Sequence, residues 1–259
     1  VYKCKDGKWI QIACVHLGFV DQAAAVLGLG EILTEPRFGE GRPIDAEARQ
    51  ELVKIVSERF LTDTSSVWSK KFYEADVPFA IVETVNSAME NKQVIHNGLL
   101  AKINDPLLGP MVQNGIPLKL SMTPGSIIGP RKNVLWKEIE GNPKQANNLS
   151  PDREPEDRLP LNGIRVADIT NVIAGPAAGR LLGDLGADVI KIEPLTGDFT
   201  RGPGATFNAL NANKRSIAID SKNPEGNKVL RKIISEFDAL VANLRPGATA
   251  RMGIERKVL

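Results

Sequence analysis

Apolar positions follow two different rhythms along the chain. Near the start, short apolar/polar alternations predict strands over 2–5 and 8–14, joined at Asp6-Gly7, a pair suited to the positive φ angles of a type I′ turn. That turn sets Cys4 opposite Trp9. A helix over 18–27 follows, closed by Gly28 and Gly30. Leu52, Val53, Val56 and Phe60 recur at helical spacing and predict a helix over 45–61, and a second helix over 66–73 follows the Thr/Ser-rich cap at 62–66. A short strand over 79–83 and a helix over 87–96 lead into a Pro- and Gly-punctuated extended stretch over 99–135. The pattern is a small α+β unit whose tail needs another sheet to pair with.

From 136 to 158 the residues are polar, charged and Pro-rich, with almost nothing apolar to bury, which reads as a linker. Beyond it the rhythm changes. GIRVADIT at 163–170 is a buried strand, 176–185 a helix and DVIKIE at 188–193 a second strand, a β-α-β unit of the parallel kind. After a loop over 194–210 comes a strand over 215–220. Asn223 then caps a helix with Pro224 at its first position and Val229, Leu230, Ile233, Ile234 and Phe237 on its buried face, and a short strand over 239–242 ends in NLRPG. The fold class is α/β: a small α+β domain over 1–135, the linker, and an incomplete Rossmann-like parallel-sheet half-domain over 159–259.

Composition narrows the classes of function. The 259 residues are 42% hydrophobic, enough for a buried core, and 33 Lys and Arg against 31 Asp and Glu give no reason to expect nucleic acid or an anionic membrane as partner. No apolar run has the length of a membrane span and the opening VYKCKDGKWIQ lacks signal-peptide architecture, so the expected compartment is the cytoplasm. Cys4 and Cys14 read as two small free thiols, and without a Cys/His cluster no metal site is expected.

The candidate chemistry lies in the second half. The turn Ile173-Ala174-Gly175-Pro176-Ala177-Ala178-Gly179 brings backbone amides and a helix N-terminus to the C-terminal edge of a parallel sheet, where α/β folds bind anions. Glu193 ends the second strand where dinucleotide folds carry a ribose-binding carboxylate. The spacing of Gly175 and Gly179 is G-x-x-x-G, however, without the tight G-x-G that NAD requires. Lys214, Arg215, Lys222, Arg245 and Arg251 each read singly as solvated surface charges; together they could meet a phosphorylated nucleotide, with Ile173 and Ile219 lining an adenine slot.

Three runs in order, LPLNGIRVADITNVIAGPAAGRLLGDLGADVIKIEPLTGDFTRG, FNALNANKRSIAIDSKNPEGNKVLRKI and LVANLRPGATARMGI, resemble the N-terminal region of the class III CoA-transferases, the group of formyl-CoA transferase and carnitine CoA-transferase. VYKCKDGKWIQIA, EPRF and VWSKKFYEADVPFAIVETV resemble the small domain that follows this region in the family, so the order here is inverted. Two accounts fit: a piece of a tandem fusion, with the end of one module before the start of the next, or a permuted single module. The fusion is favoured by the linker.

The resemblance implies a substrate pair, an acyl-CoA and a small carboxylic acid, with CoA as the moiety exchanged and no metal. It implies an intertwined homodimer or internal pairing of fused modules. It also implies CoA contacts at Ile173 and Ala174, at Ile219, Asp220, Ser221 and Lys222, and at Asn243, Leu244 and Arg245, with Arg251 as a phosphate partner; Pro194 stands where some members carry a CoA-binding Arg. The family's catalytic Asp, which attacks the thioester, belongs to a central segment absent here, so no catalytic residue is assigned and the chain is expected to be catalytically incomplete. Asp168, Asp184 and Asp188 read as structural. Two other readings stay open. One is a 2-methylacyl-CoA racemase-like isomerase, with His16 where those enzymes carry a catalytic Glu; the other is a non-catalytic module of a fused protein.

Overall fold

The computed structural model describes residues 1–14, 17–41, 45–130, 135, 159–202 and 206–255. The chain divides into two compact units, Val1–Pro143 and Lys144–Leu259. The linker reading over 136–158 and His16 lie outside the described residues.

In the first unit, β1 (Tyr2–Lys3), β2 (Trp9–Ile12) and β3 (Phe79–Ile81) form an antiparallel sheet in that order. The opening turn differs from the predicted one. Lys3 pairs with Trp9 and the Cys4 amide donates to Lys8 O, so Cys4 lies opposite Lys8. Gly7 has φ +80 while Asp6 is not left-handed, and the Gly7 amide donates to Cys4 O. This is a turn closed by a left-handed glycine, with one more loop residue than a type I′ hairpin. Asp6 is thereby freed to accept from the Ser65 amide and hydroxyl at 3.1 and 2.7 Å, which pins the turn to the helix that begins at Ser65.

The helices α1 (Leu17–Leu27), α2 (Gly30–Leu33), α3 (Ala46–Phe60) and α4 (Ser65–Glu74) cover the sheet. Asp45 caps α3 by accepting from the Ala48 amide, and the buried stripe of α3 runs through Ala48, Val56 and Phe60 with Val53 exposed. Phe60, Trp68 and Phe72 form the aromatic centre of the core, and Trp68 Nε1 donates to Phe60 O.

The helix predicted over 87–96 is two, α5 (Val85–Met89) and α6 (Lys92–His96), because Asn91 turns to cap the second by accepting from the Gln93 amide. The predicted tail supplies its own partner. β4 (Leu100–Asp105) and β5 (Gly109–Asn114) pair as a hairpin, its turn held by Asp105 Oδ1 accepting from the Leu107 and Leu108 amides, with Gly109 at φ +74.

The second unit is a parallel sheet of β6 (Arg165–Asp168), β7 (Asp188–Glu193), β8 (Lys214–Ala218) and β9 (Ala239–Val241), in the order β8-β7-β6-β9. The first and last strands in sequence are neighbours, so successive connections diverge between β6 and β9. α7 (Ala174–Asp184), α8 (Thr206–Asn211), α9 (Pro224–Ile234) and α10 (Ala248–Arg251) complete the unit. Asn223 and Pro224 start α9 as the sequence predicts, and Leu230 and Ile234 pack on Ala167, Ile169, Ile219 and Ile254. Val229, placed on the buried face by spacing, is half exposed.

Candidate functional site

The C-terminal ends of β6 and β9 lie side by side, the topological position at which open α/β sheets form a crevice. One side chain joins the two loops that leave them. Asn243 Oδ1 accepts from the Asn171 amide at 2.9 Å, and its Nδ2 donates to Asn171 O at 2.8 Å. The next residue, Val172, has φ +70, a conformation that is costly for a β-branched side chain. Ile173 then stands exposed as the N-cap of α7 and Ala174 begins the helix.

Beneath this turn lies a buried polar network. Lys214 Nζ pairs with Asp168 Oδ2 at 2.7 Å and donates to Pro176 O and Asn211 Oδ1; both members of the pair are essentially inaccessible. Asp168 Oδ1 accepts from the Thr170 amide and hydroxyl. Lys191 Nζ donates to Thr170 O at 2.8 Å and pairs with Asp198 Oδ2 at 2.8 Å. The Asp198 amide donates to Glu193 Oε2, and Arg201 clamps Glu193 bidentately at 2.6 Å while stacking over Phe207.

Burial works to raise the Asp198 and Glu193 carboxyls, but hydrogen bonds and the positive charges of Lys191 and Arg201 outweigh it and hold both below the usual range. Burial draws the Lys214 ammonium below its ordinary value, opposed by Asp168. Gly179 and Gly175 have their reason here. A Cβ on Gly179 would stand 2.5 Å from Asp168 Oδ2, and one on Gly175 would stand 2.4 Å from the Thr170 Cβ. The G-x-x-x-G spacing brings the helix down onto this network.

Three hollows share walls along the C-terminal edge of the sheet. One of about 210 Å³ lies between Ile169, Asn171, Ile192, Glu193, Pro194, Ile219, Ser221, Leu230, Leu244 and Met252. It shares Pro194, Ile219 and Ser221 with one of about 250 Å³ that adds Leu195, Thr196, Asp220 and Lys222. A third, about 560 Å³ and open, runs from Asn171 and Pro194 over Thr196–Gly202 without Thr200.

The structure therefore brings Ile219, Asp220, Ser221, Lys222 and Leu244 to one cleft. Ile173, Ala174 and Asn243 adjoin it through Asn171, whereas Arg245 and Arg251 are exposed and line none of the three hollows. Ile219 is buried in the core beneath the cleft, so the apolar surface it offers is only the hollow's floor.

Two of the five candidate cations are elsewhere. Lys214 and Arg215 open β8 at the N-terminal side of the sheet; Lys214 is consumed by Asp168, and Arg215 pairs with Asp188 at 2.6 Å. The other carboxylates are also engaged: Asp184 accepts from Asn213 Nδ2 and faces Arg180. Sequence reasoning missed Asn171, Lys191, Asp198 and Asn227, whose Nδ2 donates to Met252 O and, at 3.5 Å, to Ser221 O. A lysine at an inward position of DVIKIE was the available signal for the Lys191–Asp198 pair. Among the described residues no group of three His, Cys, Asp or Glu could hold a metal, both cysteines are free, and no helix is long and apolar enough to cross a membrane.

The family model described as CoA-transferase family III matches residues 1–131 and 161–259. The formyl-CoA:oxalate CoA-transferase of Afipia carboxidovorans is 50% identical over 102 residues, covering 36% of this chain and 24% of that enzyme. The enzyme of the same name from Streptomyces avermitilis is 46% identical over 101 residues, covering 36% and 25%. The chain thus spans about a quarter of the length of these curated relatives. A CAIB/BAIF family protein from Brucella suis aligns with a TM-score of 0.38 at 35% identity, covering 39% of this chain and 30% of that one.

Proposed function

Since the chain belongs to CoA-transferase family III, we propose that its second unit is the CoA-holding part of an enzyme that moves CoA between an acyl-CoA thioester and a carboxylic acid. The observation that carries the reading is the cleft at the divergence point of β6 and β9, with Asn243 tying its two loops together. CoA would lie with its adenine against Pro194, Leu195 and Ile219 and its phosphates toward Lys222. Ile173 and Ala174 flank the turn, Asp220 and Ser221 supply polar rim groups, and Asn243, Leu244 and Arg245 form the opposite side. Arg251 reaches phosphate only if the nucleotide extends past the hollows.

The transfer itself calls for a carboxylate that attacks the thioester carbonyl and leaves CoA as thiolate. Asp168, Asp184 and Asp188 are poor candidates, because each is already paired with a cation or an amide donor. The nucleophile would come from outside this chain, as expected of a piece of a tandem fusion or a permuted module. The first unit would be the small domain of such a module. Formyl-CoA and oxalate, the pair in the relatives' names, are the substrates to try first.

Calorimetric titration of CoA into the 259-residue chain should give saturable binding, and Lys222→Ala should weaken it by about 3- to 10-fold, one charge-assisted contact at an exposed site. Absence of binding at millimolar CoA would overturn the assignment of the cleft. Formyl-CoA and oxalate should undergo no exchange with the chain alone; exchange would overturn the placement of the nucleophile elsewhere.

A further inference from the structure

Lys191 is the middle of a strand and lines none of the three hollows, yet two walls of the cleft depend on it. Its ammonium, 1% exposed, donates to Thr170 O at 2.8 Å, the residue before Asn171, and pairs at 2.8 Å with Asp198, which is fully buried. Thr170 leads into the strained turn through Asn171 and Val172 to Ile173. Asp198 caps the short 3-10 helix Phe199–Arg201, whose residues form the facing wall, by accepting from the Thr200 amide and hydroxyl at 2.7 and 2.6 Å. The two loops are far apart in sequence and would otherwise be set independently. A buried ammonium lying between one acceptor from each fixes their separation: the Asp198 loop can move only by unpairing two buried charges, and Thr170 only by taking a carbonyl acceptor away from the buried ammonium.

We infer that Lys191 is a positioning residue for the cleft: its ammonium locks the β6–α7 turn to the Asp198–Arg201 loop and so sets the opening into which CoA fits. The inference rests on the cleft being the CoA site. It assigns Lys191 no contact with substrate.

Hydrogen exchange on the wild-type chain, with and without CoA, tests it first. Amides of 170–174 and 198–201 should open together, with matching protection, and CoA should slow both. Unequal, independently varying protection of the two segments would overturn the lock. Two variants then separate position from stability. Lys191→Met leaves Asp198 buried and unpaired and should loosen CoA about 10-fold or more, the scale at which lost support of a binding group acts. Lys191→Met with Asp198→Asn removes both charges while keeping an Oδ1 acceptor for the Thr200 amide and hydroxyl, so the thermal midpoint should return toward wild type. The CoA dissociation constant should stay raised in the double variant; full recovery of affinity along with stability would show that Lys191 acts only through the fold. If wild type fails to bind CoA, the functional reading falls, whereas the exchange coupling of the two segments still decides the lock.

Discussion

Gly179 shows how a single hydrogen in place of a methyl group decides the packing of a helix. A Cβ there would meet Asp168 Oδ2 at 2.5 Å and Lys214 Nζ at 3.1 Å, and neither atom can retreat without breaking a buried ion pair. Gly179→Ala should therefore lower unfolding stability by about 2 kcal/mol in a denaturant titration, overpacking outweighing the gain in helix propensity. Gly30→Ala, where nothing stands within 4 Å, should change it by about 0.5 kcal/mol or less. Val172 presents the opposite case. At φ +70 it holds a conformation that a glycine adopts freely, and Val172→Gly should raise stability by about 1 kcal/mol in the same assay. A fall instead would mean that the side chain itself holds the turn. Residues of this kind are hard to read from sequence. GPAAG displays its glycines but not what they approach, and nothing in ITNVI marks Val172 as left-handed.

At the scale of elements, strands and helices with strong local signals were legible. DVIKIE is a strand because its alternation is regular, and Asn223-Pro224 starts a helix because cap and first turn are both written there. Failures came where two local choices compete. Asp6-Gly7 suits a tight type I′ turn, yet Asp6 is drawn instead to the Ser65 amide and hydroxyl, adding a residue to the loop and shifting Cys4 to face Lys8. Asn91 could continue a helix but caps a new one. The cleft was half legible: the βα turn stands out in sequence and the 219–222 strip came from the resemblance, while Lys214 and Arg215 could be placed only once the strand's direction and start were known. Asn243 was singled out by resemblance, and its clasp on Asn171 is a matter of geometry. Asn243→Ala should lose both bonds, cost about 1 kcal/mol and speed exchange of the Asn171 amide well beyond the change at β7 amides. Uniform acceleration across the sheet would instead mean that the clasp supports the whole unit.

The two units of the molecule are stabilised by different chemistry, and acid should separate them. The first is centred on Tyr2, Phe60, Trp68 and Phe72, a core indifferent to pH in this range. Asp6, a carboxyl of this unit held low, lies at the surface, where Ser65 hydroxyl and amide donors lower it. The second places Lys191–Asp198 and Lys214–Asp168 in its interior and Glu193 beneath Arg201. Asp198 and Glu193 titrate in the folded protein below their unfolded values. Their contribution is thus complete above the unfolded carboxyl range, about pH 4, and is lost as pH falls through the lower folded values. Protonating Asp198 also leaves Lys191 buried without its counter-ion, so the loss is cooperative with the strand. The second unit should therefore unfold first on acidification. The tryptophans make this measurable, since all three in the chain, Trp9, Trp68 and Trp136, precede residue 144 and none falls in the second unit. Below pH 4, far-UV circular dichroism should lose the signal of the second unit while the emission of Trp68, buried against Phe60 and Phe72, stays blue-shifted. Coincident transitions by the two probes would show instead that the units unfold as one.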